Sequence, residues 1–179
     1  GMTSFRIEEF PFAPEHVQAR VPLDPLYGNW PVVYTLDGAD EIYVGESLNV
    51  AGRLRQHLDS ASKHHLRAAR VILDSTFNKS VCLDLESYLI RLLAGDGKYQ
   101  VLNRNEGITN AEYYGRADYQ RTFDEIFEEL RTRGLFTRRV REIVNTDLFK
   151  LSPFKALTAD QEIAIEDILN GLFEDLDTG

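Results

Sequence analysis

The chain has 179 residues, 43% of them hydrophobic and 27% charged, enough to bury one core of ordinary domain size with room for a small appendage. No run approaches the roughly 18 uninterrupted apolar residues of a membrane span, and the N-terminus lacks the basic-then-apolar layout of a secretory signal, so the expectation is a cytoplasmic protein without a membrane partner. The formal net charge of −9 weighs against a phosphate-rich partner, which needs Lys and Arg.

The acidity is mostly a C-terminal property: residues 151–179 hold one basic against seven acidic side chains. Residues 50–80 lean the other way, with Arg53, Arg55, Lys63, Arg67, Arg70 and Lys79 against Asp59 and Asp74. That basic patch could grip phosphate or be an ordinary solvated face, and charge alone does not separate the two. The single cysteine, Cys82, lies in an apolar run. It reads as a small core residue, neither ligand nor nucleophile.

In chain order, residues 1–26 carry Pro11, Pro14, Pro22 and Pro25 among short apolar pieces, the pattern of an irregular N-terminal arm. "VVYTL" and "EIYVG" flank "DGAD" and predict a hairpin of strands 31–36 and 41–45. With Asp37 to Asp40 as the loop, Leu36 faces Glu41, Tyr34 faces Tyr43, and both phenols share one face. Ser47 is placed to cap a helix over 48–59, whose apolar positions Val50, Leu54 and Leu58 recur every four residues. "RVILDS" predicts a third strand at 69–74, and "VCLDLESYLIRLLAG" a buried helix over 81–94 closed by Gly95. "YQRTFDEIFEELRTRG" and "TRRVREIVNTDLF" predict a helical pair. The expected class is α+β, a small three-stranded antiparallel sheet flanked by helices with a C-terminal helical extension. Its divisions are an arm (1–26), a main domain (27–108), a helical linker (109–150) and a distinct tail (151–179).

Polar chemistry concentrates around the hairpin. Asn49, Arg53 and His57 are spaced by four and predict a polar stripe beside the apolar one. Glu86 has Cys82, Leu83, Leu89 and Ile90 at the positions three and four residues away. A carboxylate among such neighbours lies on or beside a buried face and needs a cation, a metal or donors. A salt bridge to an arginine would serve equally well. Asp84 reads as a dipole-favouring residue near the helix start.

Together these residues resemble the GIY-YIG nucleases. The half-motifs stand as Val32-Val33-Tyr34 and Tyr43-Val44-Gly45, followed by Arg53 eight residues after the glycine, His57 one turn later, Glu86 in the next helix and Asn103 in "VLNRNEG". Order and spacing of six elements agree, although each three-letter motif is weak alone. Val32 departs from the glycine that names the motif.

The resemblance implies an endonuclease hydrolysing phosphodiester bonds, with DNA as the expected partner and one Mg²⁺ or Mn²⁺ held by Glu86. It implies that Arg53 braces phosphate oxygens, that Tyr34 or Tyr43 activates water, and that His57 assists. Gly45, Asn49, Arg55 and Asn103 would support the site or the substrate. The alternative is a degenerate module that only binds nucleic acid or a partner for an attached ATPase; the presence of both tyrosines, Arg53, His57 and Glu86 argues against it.

The tail "SPFKALTADQEIAIEDILNGL" places Thr158 and Gln161 at capping-box spacing. It resembles the glutamine-containing entry segment before the Walker A loop of superfamily 1 helicases, which implies the start of a covalently linked P-loop ATPase in a longer protein. No G-x-x-x-x-G-K-[ST] occurs in the sequence. A plain acidic helix would show the same capping box.

Overall fold

The computed structural model describes residues 4–20, 22, 24–103 and 115–152. The expectation for the tail lies outside them beyond Ser152. The described chain is α+β: five mostly antiparallel strands in the order β1-β4-β2-β3-β5, with helices on both faces.

The expected three strands are β2 (Val32–Asp37), β3 (Glu41–Ser47) and β4 (Ala68–Leu73). Two more join them. β1 (Arg6–Pro11) pairs antiparallel with β4 along one edge, and β5 (Gln100–Val101) pairs parallel with β3 along the other. The N-terminal residues are therefore part of the sheet and not an irregular arm. β1 escaped the sequence pattern because it sends one apolar residue to each side: Ile7 enters one core and Phe10 the other. Helix α1 (Pro14–Arg20) follows it.

The β2–β3 register differs by two residues from the expected one. Tyr34 pairs with Gly45 and Leu36 with Tyr43, because pairing continues to the Gly38 N–H bond to Glu41 O at 2.9 Å and shortens the connection. A two-residue shift preserves side-chain parity, so Tyr34 and Tyr43 still share a face.

All six residues of β2 are buried, as in a strand covered on both sides. Val32, Tyr34 and Leu36 pack toward α2 (Val50–Leu58), while Val33 packs toward α3 (Lys79–Asp96). The α3 layer also holds α4 (Tyr119–Thr132), α5 (Val140–Val144) and α6 (Asp147–Leu151).

Helix boundaries were corrected by their caps. Asn49, not Ser47, caps α2, accepting from the Gly52 N–H at 3.0 Å, while Ser47 Oγ accepts from Asn49 N–H at 2.9 Å. Gly97, with φ of 80°, ends α3 in the left-handed region. Gly95 lies inside the helix instead, where a Cβ would stand 2.7 Å from Ile143 Cγ2 and 2.8 Å from Phe149 Cβ, so its small size lets α5 and α6 close on α3. The last predicted helix is split into α5 and α6 by Thr146, which caps Phe149 N–H at 3.1 Å. Asp84 falls well inside α3, buried and paired with Arg116 at 3.5 Å, so it is not a dipole residue. Cys82 is fully buried, and burial pushes its thiol up. No helix among the described residues is long and apolar enough to cross a membrane.

Candidate active site

The site forms around the outer edge of β3. β5 pairs only with Glu41 and Ile42, and Asn103 takes over where it stops. Its Oδ1 accepts from Val44 N–H at 2.9 Å and its Nδ2 donates to Val44 O at 2.5 Å, imitating one residue of a further strand. The next outward N–H, that of Glu46, faces the Glu86 carboxylate from α3 and favours its ionised form.

Alternation assigns the side chains to two faces. Tyr43 and Gly45 lie on the α2 side of β3, while Val44 and Glu46 lie on the α3 side. Tyr34 starts one strand in from the edge and reaches it across Gly45, where a Cβ would come within 2.4 Å of the tyrosine Cζ and Oη. Tyr34 Oη is 2.7 Å from His57 Nε2 in a fully buried contact. Tyr43 completes the group, its ring centroid 6.2 Å from Tyr34 and 5.1 Å from His57.

Arg53, one turn before His57, is exposed and donates to Gln56 Oε1 at 3.1 Å. Its charge also favours the ionised form of the Tyr34 hydroxyl. Burial and Tyr43 nevertheless push the Tyr34 phenol up, outweighing Arg53. Burial, then Lys63 and Arg53, push His57 down to about 4, so the imidazole is neutral near pH 7.

Glu86 is 7% exposed. Burial and the Glu46 charge push it up to about 7, against the pull of Lys79, the Glu46 N–H and Arg53. Among the described residues it has no salt bridge to an arginine or lysine within 4 Å, so the salt-bridge alternative has no partner there. Asn49 is occupied as a helix cap. Arg55 is exposed and makes no hydrogen bond or ion pair among the described residues.

Glu46 was not singled out from sequence, and Lys63 and Lys79 were named only as members of the basic patch. Lys63 Nζ lies 4.7 Å from the Tyr43 ring centroid. Lys79 Nζ lies 2.7 Å from each carboxylate oxygen of Glu46. Strand parity could have found Glu46, since the alternation that pairs Tyr43 with Gly45 turns the intervening and following residues toward α3.

The order of strands, the paired phenols and the glutamate reaching the same edge from the opposite layer constitute one arrangement. Residues 33–100 match the GIY-YIG catalytic domain. The GIY-YIG span runs from β2 to the start of β5 and includes Tyr34, Tyr43, Gly45, Arg53, His57 and Glu86; β1 and α4 to α6 lie outside it. No curated protein and no solved structure matches the chain. Val32, at the place of the motif's first glycine, is buried opposite Ser47 and fills the α2-side core. The match over residues 33–100 supports a nuclease-type function in general, which implies a nucleic-acid substrate.

The donor set suits a hard divalent cation. Two carboxylates, Glu46 and Glu86, stand together at one edge, and Glu86 is buried without a cation of its own among the described residues. No group of three or more His, Cys, Asp or Glu side chains able to hold a metal occurs among them.

Proposed function

We propose that residues 27–108 form a metal-dependent endonuclease domain that hydrolyses phosphodiester bonds in DNA. The observation that carries this reading is the buried Tyr34–His57 hydrogen bond, made where Tyr43, Arg53 and Glu86 also converge.

Of the two phenols, Tyr34 has no exposed surface and Tyr43 has some, which favours Tyr43 as the group that meets the attacking water. The Lys63 ammonium lies over its ring, 4.7 Å from the centroid. Tyr34 orients the imidazole through Nε2. Burial does most to hold His57 down, and a phosphate arriving beside Arg53 and Lys63 offsets the remainder that these two cations add. Arg53, exposed and forked, braces the non-bridging oxygens. Glu86 would hold one Mg²⁺ or Mn²⁺, which supplies positive charge beside the departing 3′ oxygen. Gly45, Asn49 and Asn103 maintain the shape of the edge, and Arg55 adds to the basic surface that holds the strand.

The tail is proposed to begin a linked P-loop ATPase; that rests on its sequence alone. The test of the main reading is incubation of the purified chain with duplex, branched and single-stranded DNA and with RNA, with Mg²⁺ or Mn²⁺. Cleavage lost on chelation and in Glu86→Gln is expected. Binding without cleavage of any of these nucleic acids would make the domain a binding module.

A further inference from the structure

We propose that Glu46 is the second carboxylate of the cation site at Glu86, and that Lys79 is its built-in competitor, an ammonium that neutralises Glu46 until a divalent ion replaces it. The proposal rests on the metal-dependent reading of Glu86.

Glu46 reaches the site from the strand. Its backbone N–H faces Glu86 while its side chain projects on the same α3 side, so one residue sets a second carboxylate beside the buried one. Lys79 comes from the first residue of α3, behind the Asn78 cap. A cation there opposes the helix dipole, and the first turn of α3 contains no acidic residue to offset it. Glu46 holds it instead, through both oxygens at 2.7 Å.

The three side chains differ in freedom. Lys79 is 52% exposed and Glu46 16%, while Glu86 is 7% exposed. The ammonium can therefore swing into water on its flexible stem while both carboxylates stay in place. Once Glu86 is ionised, two carboxylates against one ammonium leave an excess negative charge at this edge. A divalent ion neutralises both at once, and Lys79 is the only one of the three that can leave. Losing a half-exposed ion pair costs little, so the competition tunes affinity without closing the site.

The test is a Mn²⁺ titration of the full chain without nucleic acid, with free Mn²⁺ read by electron paramagnetic resonance. Lys79→Met should bind Mn²⁺ roughly fivefold more tightly, the scale of one partly exposed ion pair. Lys79→Arg should stay near the wild type. Glu46→Gln should weaken binding by about 10- to 100-fold. Unchanged or weaker binding in Lys79→Met, or unchanged binding in Glu46→Gln, overturns the proposal; if Glu86→Gln still abolishes binding, the metal site itself stands. Unchanged binding in Glu86→Gln, or no Mn²⁺ bound by the wild type at millimolar concentration, removes the metal reading and this proposal with it. Melting temperatures taken on the same samples identify any variant that fails to fold, and Lys79→Gln then replaces Lys79→Met.

Discussion

The ring of Tyr34 occupies the space that a side chain on Gly45 would need: a Cβ there would lie 2.4 Å from both Cζ and Oη. Tyr34 is fully buried and bonded to His57, so it has little room to retreat. Gly45→Ala should cost about 1–3 kcal/mol through overpacking and break the Tyr34–His57 contact. Urea melts with the imidazole resonances of His57 as reporter check this. Wild-type stability with an unmoved His57 signal would show that the ring can step aside.

Glu86 and His57 should give stability opposite slopes with pH. Glu86 is raised from 4.5 to about 7, so the folded state holds an extra proton between those values. Its contribution falls as pH rises through that window, with the full penalty above about 7. His57 is lowered from 6.5 to about 4, so the unfolded state holds the extra proton. Its contribution is complete above pH 6.5 and is lost as pH falls toward 4. Each amounts to about 3 kcal/mol at most. The slopes oppose between pH 4.5 and 6.5, where the wild type should be nearly flat. Glu86→Gln should abolish cleavage, gain about 1–3 kcal/mol at pH 8 and unmask the rise from His57. His57→Gln should leave the fall from Glu86. Urea midpoints from pH 4 to 8 distinguish these patterns, and a Glu86→Gln protein strongly destabilised at pH 8 would make Glu86 a structural residue.

Arg53 is exposed, so replacing it should not disturb the core. Arg53→Lys keeps the charge but loses the fork, and cleavage should fall by about 10²-fold or more while binding changes little. Equal losses of binding and cleavage would make Arg53 a substrate anchor instead. Fluorescence anisotropy alongside the cleavage assay separates the two.

Asn103 supplies both hydrogen bonds to the Val44 backbone. Asn103→Ala should leave those groups short of partners at a cost of about 1–3 kcal/mol, with faster exchange of the Val44 amide. An unchanged exchange rate would show that water or another group takes over the edge.

The sequence by itself determined that Tyr34 and Tyr43 share a face, because strand side chains alternate with a period of two and an error of two in register cannot change the side. It also determined that Glu86 is buried, because its helical neighbours are apolar and a helix must turn that face inward. Local spacing placed His57 one turn after Arg53. Their opposite fates, one buried and one exposed, came from how α2 sits on the sheet. Only the tertiary structure brought the α2 face and the α3 face together, since they meet at the part of the β3 edge that the two-residue β5 leaves uncovered. That meeting depends on a strand too short to leave a sequence pattern and on contacts between residues far apart in the chain. For the same reason Glu46 and Lys79, which are 33 positions apart, became a pair only when α3 packed against β3.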